Sequence, residues 1–261
     1  MKLASRREGD GPPIVVLHGL FGSARNWASV SKALAAQFQV HSLDLRNHGG
    51  SPWSDEMNYP DMAEDVAAFL DREGLKTAVV LGHSMGGKVA MTLALTRPER
   101  VSALAVVDIA PAIYRGTLEV YAQAMMSLDL AQVSRRGEVD AMLAESVPEA
   151  GIRAFLLQNL ERADARFVWR LNLPALLSAM EQLGGFPASL GGATYHAPTC
   201  FIAGGLSDYL RPEHAPLVDA LFPNAEIRRI AGAGHWVHAE QPQAFLETLG
   251  PFLAQAAATM D

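Results

Sequence analysis

Leu81-Gly82-His83-Ser84-Met85-Gly86-Gly87 is the stretch that decides the fold. Before it runs Thr77-Ala78-Val79-Val80-Leu81, apolar and β-branched, which reads as a buried strand. After it comes Lys88-Val89-Ala90-Met91-Thr92-Leu93-Ala94-Leu95, mostly good helix formers, closed by Arg97-Pro98. A serine between strand and helix, with glycine two positions to either side, predicts a tight turn that lifts the hydroxyl above a sheet. Gly82 and Gly86 leave no side chains to clash where strand and helix approach closely. The Met85 backbone N–H then stands at a helix N-terminus, able to point at developing negative charge. A Gly-Ser-Gly surface turn would use the same letters, but it needs neither flank, and here both are present.

Working outward, the same strand-then-helix rhythm recurs. Ile14-Val15-Val16-Leu17 reads as a strand that opens into His18-Gly19-Leu20-Phe21-Gly22-Ser23. The polar segment before it implies an abbreviated opening to the sheet. A helix is expected from about Arg25 to Gln37, with Trp27, Val30, Leu34 and Phe38 inward. Phe38 to Leu43 is the next strand, leading to Asp44-Leu45-Arg46-Asn47-His48-Gly49-Gly50-Ser51-Pro52. In that loop Asp44 and Arg46 are expected to pair, Gly49 and Gly50 to permit positive φ, and His48 to be structural. Pro60 to Glu73 reads as a helix stopped at Gly74, and Val101 to Val107 as a strand with Asp108 at its end.

Between Pro111 and His196 the rhythm breaks. Leu118 to Val133, Ile152 to Leu160 and a run opening Leu173-Pro174 read as helices, and Gly184-Gly185 and Gly191-Gly192 punctuate the return. So long an insertion between two sheet strands is too much for a plain loop and reads as a functional lid. The rhythm then resumes with a strand at Thr199 to Ala203 ending in Gly204-Gly205-Leu206-Ser207-Asp208, a helix at Pro212 to Leu221 and a strand at Ala225 to Ile230. Ala231-Gly232-Ala233-Gly234-His235-Trp236-Val237-His238 follows, then a helix with Phe245, Leu246, Leu249, Phe252 and Leu253 on one stripe, which Pro251 is expected to kink or end. Of the two histidines, His235 sits at the tight Gly-x-Gly-His turn, whereas His238 is expected to bond locally. The expected fold class is α/β: a mostly parallel sheet with helices on both faces, its core formed by residues 1–110 and 197–261, with a helical cap over 111–196.

Composition excludes several classes. A net charge of −7 without any Lys/Arg block argues against nucleic-acid binding. No apolar run is long enough to span a membrane, and the first residues carry no secretory apolar region. The single Cys200 excludes an intrachain disulfide and, in a strand, reads as inert packing, so the expected location is cytoplasmic.

The motifs together resemble the YbfF-type esterases, small α/β-hydrolases related to the mitochondrial abhydrolase-domain proteins. The resemblance rests on His18-Gly19-Leu20-Phe21-Gly22-Ser23, Arg46-Asn47-His48-Gly49, Asn58-Tyr59-Pro60, Gly82-His83-Ser84-Met85-Gly86-Gly87-Lys88, Asp108-Ile109-Ala110-Pro111 and Ala231-Gly232-Ala233-Gly234-His235-Trp236-Val237-His238-Ala239. It implies a serine hydrolase of short to medium acyl esters or thioesters, with no metal and no organic cofactor. Ser84 would be the nucleophile and His235 the base, with the Leu20 and Met85 N–H groups as oxyanion donors. Two aspartates compete for the acid. Asp208 occupies the usual position in this fold, and Asp108 the position used by some branches; the resemblance favours Asp108, because such relatives keep the Asp-Ile-x-Pro stretch. Phe21, His83, Trp236 and Val237, neighbours of these groups in sequence, are expected to line an apolar acyl pocket. The same triad also serves cofactor-free haloperoxidases, perhydrolases and C–C hydrolases, and a non-catalytic binding protein is a further class. Oligomeric state is not legible.

Overall fold

The apolar runs of the sequence become the centre of one sheet. The computed structural model describes residues 1–258 apart from 117 and 165. In chain order it holds β1 (Ser5–Glu8), β2 (Pro13–Leu17), α1 (Ala28–Leu34), β3 (Gln39–Leu43), α2 (Tyr59–Arg72), β4 (Ala78–His83), α3 (Met85–Thr96) and β5 (Val101–Val107). The insertion follows, with α4 (Leu118–Met126), α5 (Arg136–Leu143), α6 (Ala150–Leu157), β6 (Leu160–Ala163), β7 (Arg166–Trp169), α7 (Leu173–Ser178) and α8 (Met180–Gly184). The chain closes with β8 (Thr199–Gly204), α9 (Ala215–Leu221), β9 (Ala225–Ile230), α10 (Val237–Glu240) and α11 (Pro242–Ala257).

The sheet order is β1-β3-β2-β4-β5-β8-β9, parallel throughout except for β1. Alternation along each strand divides the core in two. Val15, Leu17, Val80, Leu104 and Val106 pack on the face that carries α2, α3 and the insertion, while Ile14, Val16, Val79, Leu81, Ala103 and Ala105 pack toward α1 and α11. α2 is begun by Asn58, whose side chain accepts the Asp61 N–H at 2.9 Å, with Pro60 in its first turn.

The opening of the sheet is abbreviated to one four-residue edge strand, β1, paired antiparallel with β3. Five expectations need correction. The helix expected from Arg25 starts as a 3-10 turn at Ala24–Trp27 and is α-helical only over α1. Asp44 and Arg46 do not pair. Arg46 bonds Asp65 at 2.7 Å and Asp61 at 3.3 Å, whereas Asp44 accepts the Ala24 and Gly50 N–H groups at 2.7 Å each. Of the two loop glycines only Gly49 has positive φ, +57°. Pro251 does not end α11, which runs on to Ala257; it lies on the exposed side, where water can satisfy the carbonyl it deprives. The insertion is not purely helical either: β6 and β7 form an antiparallel hairpin, Leu160 opposite Trp169, too short for period-two alternation to stand out.

Candidate active site

The turn after β4 is held by two close approaches. A Cβ on Gly82 would lie 2.2 Å from the Gly86 carbonyl oxygen, and one on Gly86 would lie 2.5 Å from the Leu17 and His18 oxygens. No larger residue fits either position. Ser84 takes φ 53° and ψ −118°, a conformation that costs a non-glycine residue about 1–3 kcal/mol and recurs where a side chain must be presented. Its N–H is tied to the Val107 carbonyl at 3.0 Å, across the β4–β5 pair.

Three side chains from three strand ends meet there. Ser84 Oγ is 3.1 Å from His235 Nε2, and His235 Nδ1 is 2.7 Å from Asp108 Oδ2. Asp108 is fully buried, with φ 50°. Its Oδ1 accepts the Gly204 N–H at 2.8 Å, and its Oδ2 also accepts the Ser207 hydroxyl. Asp208, by contrast, is exposed on the same loop, away from His235, and the Arg211 guanidinium pairs with Glu213 at 2.7 Å instead. The β8 loop therefore delivers a serine hydroxyl to Asp108 rather than a carboxylate to the histidine. Ser207 was not singled out from the sequence; its use is visible only once Asp108 lies next to it.

The loop after β2 curls over Ser84. Among the described residues, neither the Leu20 nor the Met85 N–H is taken by a protein acceptor. The loop's shape comes from two buried histidines. His18 Nε2 accepts the Leu45 N–H at 3.0 Å, and His48 Nε2 accepts the Phe21 N–H at 3.2 Å while its Nδ1–H donates to the Arg46 carbonyl at 2.8 Å. Phe21 has φ 59°, and its carbonyl accepts from Asn159 Nδ2 of the insertion at 2.7 Å. Burial, then the neighbouring His18, pulls His48 down to about 3, so it acts as a fixed neutral acceptor.

Ser84 lies where two cavities meet; Leu20, Leu118 and Tyr209 line both. The first, about 520 Å³, runs between Phe21, Trp27, His83, Ile152, Phe155 and Trp236. The second, about 690 Å³, runs between Tyr59, Lys88, Ile113, Tyr114, Met180 and Leu183. Val237 lines neither: it is fully buried among the residues packed under α11, which corrects its expected place in the pocket. Its neighbour in sequence, Trp236, takes the outward side of that turn. His83 donates from Nε2 to the His235 carbonyl at 2.9 Å, and burial lowers its pKa well below the ordinary value. His238 does not bond locally as expected; it stacks on Trp27 at 4.0 Å, and its Nδ1 has no partner. Tyr209 stacks on the His235 ring at 3.9 Å. Among the described residues, no group of three His, Cys, Asp or Glu side chains could hold a metal ion, and no helix is long and apolar enough to cross a membrane.

Comparison with known proteins identifies the family. The profile of the alpha/beta hydrolase fold family matches residues 12–242. The sn-1-specific diacylglycerol lipase ABHD11 of Mus musculus is 42% identical over 254 residues, spanning 93% of this chain and 81% of its own. Esterase YbfF of Escherichia coli is 35% identical over 251 residues, spanning 95% and 96%. Among solved structures, a marine microorganism esterase superposes with a TM-score of 0.93 at 36% identity, covering 96% of this chain and 99% of that one.

Proposed function

The chain belongs to the alpha/beta hydrolase fold family and is a serine hydrolase of carboxylic esters; from that premise we propose that Ser84, His235 and Asp108 are its catalytic triad. The observation that carries this reading is the unbroken line from Ser84 Oγ through both His235 nitrogens to the buried Asp108 carboxylate. Ser84 attacks the ester carbonyl carbon as its proton passes to His235 Nε2. The tetrahedral oxyanion is held by the Leu20 and Met85 N–H groups. His235 then returns the proton to the departing alkoxide, leaving an acyl-serine that water hydrolyses by the same steps reversed. Asp108 keeps the proton of the resting imidazole on Nδ1 and stabilises the imidazolium that forms. Ser207 and the Gly204 N–H keep Asp108 from turning away.

The first, mainly apolar cavity takes the acyl chain, and the second takes the alcohol portion. An ester substituted on both sides, as a diacylglycerol is for the mouse relative, suits two chambers meeting at the nucleophile; a thioester would react by the same steps. The buried free Cys200 is in keeping with a reducing compartment, and the cytoplasm is the location we assign. The segment 111–196 acts as the cap that closes both chambers.

A short p-nitrophenyl acyl ester should give a burst equal to the enzyme concentration, followed by slower turnover. A fluorophosphonate probe should label Ser84. Undiminished turnover by Ser84→Ala would show the nucleophile to be another residue.

A further inference from the structure

Lys88 stands one helical turn beyond the nucleophile, its N–H bonded to the Ser84 carbonyl at 3.1 Å, yet the chemistry above does not use it. Its side chain is 2% exposed. Burying an ammonium is costly unless it is well partnered, so its surroundings should say what it is for. Both partners lie at the end of α8. Lys88 Nζ donates to the Gly184 carbonyl at 2.9 Å and to the Gly185 carbonyl at 2.5 Å. The Tyr59 hydroxyl donates to the preceding carbonyl, Leu183, at 2.6 Å. These oxygens end a helix, where the backbone dipole favours a cation and where the last carbonyls have no partner within the helix.

The other side of the ammonium faces the beginning of the insertion. The Tyr114 ring centroid is 4.8 Å from Nζ, and that of Tyr59 is 5.6 Å away. The Tyr114 N–H donates to the Gly184 carbonyl at 2.8 Å, so the outgoing and returning strands of the cap are bonded to each other at this point. The Tyr114 hydroxyl accepts the Ala110 N–H at 2.9 Å and donates to the Tyr209 carbonyl. Lys88 therefore reaches, from the first turns of the helix that begins at the nucleophile, the point where the two segments of the hinge are bonded together. It also forms the inner wall of the second chamber, with Leu183, Gly184 and Gly185 alongside.

We propose that Lys88 is a positioning residue that clasps both strands of the cap hinge to the elbow helix and thereby fixes the wall of the chamber holding the alcohol portion of the ester. The proposal rests on the two-chamber reading above. An apolar side chain of the same length would fill the space but leave the Gly185 carbonyl without its donor and the Gly184 carbonyl with the Tyr114 N–H alone, and the hinge would part from α3. Burial pulls the lysine down to about 7, and the amine offers donors to both oxygens whether or not it carries the extra proton.

The test compares Lys88→Met, Lys88→Arg and Tyr59→Phe with the wild type, each normalised by fluorophosphonate titration of Ser84. Two esters share one short acyl group; one has a methyl alcohol portion, the other a bulky glycerol-type one. For Lys88→Met, the ratio of kcat/KM on the bulky ester to that on the methyl ester should fall about tenfold, through KM, as expected for losing hydrogen bonds from a charged donor. Amide exchange over residues 173–185 should quicken. Lys88→Arg, which keeps a cation and its donors, should recover most of the ratio. Tyr59→Phe, which removes only the Leu183 bond, should move it the same way by less, and it carries the test if Lys88→Met does not fold. An unchanged ratio in the folded variants, or an equal loss on both esters confined to kcat, overturns the clasp. Failure of wild-type Ser84 to label would instead overturn the hydrolase reading.

Discussion

Asp108 receives hydrogen bonds from a side chain, a backbone amide and a hydroxyl, on His235, Gly204 and Ser207. An amide in its place presents an N–H either to the Gly204 N–H or where Nδ1–H already points, and the second orientation forces His235 into the wrong tautomer. Asp108→Asn is therefore expected to lose about 10⁴ in kcat while the protein stays folded, and Asp208→Asn to lose little. Steady-state rates and near-ultraviolet circular dichroism on both variants check this; a crippled Asp208→Asn beside a normal Asp108→Asn would reverse the assignment. Ser207→Ala removes one charge-assisted bond without touching His235 and should lower kcat about tenfold at unchanged KM. The sequence exposes Ser84 and His235 because glycines that shape their turns sit beside them. It leaves Asp108 and Asp208 in competition, because each ends a strand and only the packing of β5 against β8 decides which carboxylate is turned inward. Ser207 has no local signature at all, and although His18 and His48 stand in recognisable loops, the work of all three is defined by partners far along the chain.

At the scale of elements, the sheet is legible and the insertion is not, for one physical reason. Central strands buried on both faces are continuous apolar runs, and β2, β4, β5 and β8 all read that way. The insertion is made largely of short helices whose apolar residues face both its own interior and the chambers, so their periodicity does not tell which side is which. The β6–β7 hairpin is shorter still. Its place matters, since β6 follows α6, the helix that walls the first chamber with Ile152 and Phe155. Phe155 meets Trp236 of the core across that chamber, ring centroids 5.4 Å apart. If the chamber takes the acyl chain, kcat/KM should climb with each added methylene by up to about fourfold, the equivalent of ~0.8 kcal/mol of burial, until the space is filled. Phe155→Ala should flatten that climb and barely alter the acetate ester. A series of acyl chains on one alcohol measures both, and a rate independent of chain length would place the acyl group elsewhere.

Over the whole molecule, the region behind Ser84 is built on neutral histidines. His18, His48, His83 and His238 are all buried, and burial is the first cause lowering each of them, with neighbouring histidines adding to the effect on His48, His83 and His238. Their rings lie against one another or against Trp27: His18 on His48 at 4.9 Å, His83 on His238 at 5.0 Å. In the unfolded chain each would take a proton near pH 6.5, but in the folded protein His48 and His238 resist protonation down to about 3. Above pH 6.5 both states are neutral at these sites and they contribute no pH dependence. Below it the unfolded state binds more protons, so stability falls as the pH drops from about 6.5 toward 3, by as much as ~1.4 kcal/mol per pH unit for each histidine that stays neutral. Thermal unfolding between pH 7.5 and 4.5 should show this as a steep decline that begins in the histidine range rather than the carboxylate range. His238→Phe offers the cleanest dissection. Phenylalanine can keep the stack on Trp27, removes the unpartnered Nδ1, and takes away one titrating group. It should raise stability near pH 5 relative to the wild type by more than it does at pH 8, and reduce proton uptake on unfolding by about one. Equal shifts at both pH values would mean that His238 contributes by packing alone and that the acid sensitivity arises elsewhere in the chain.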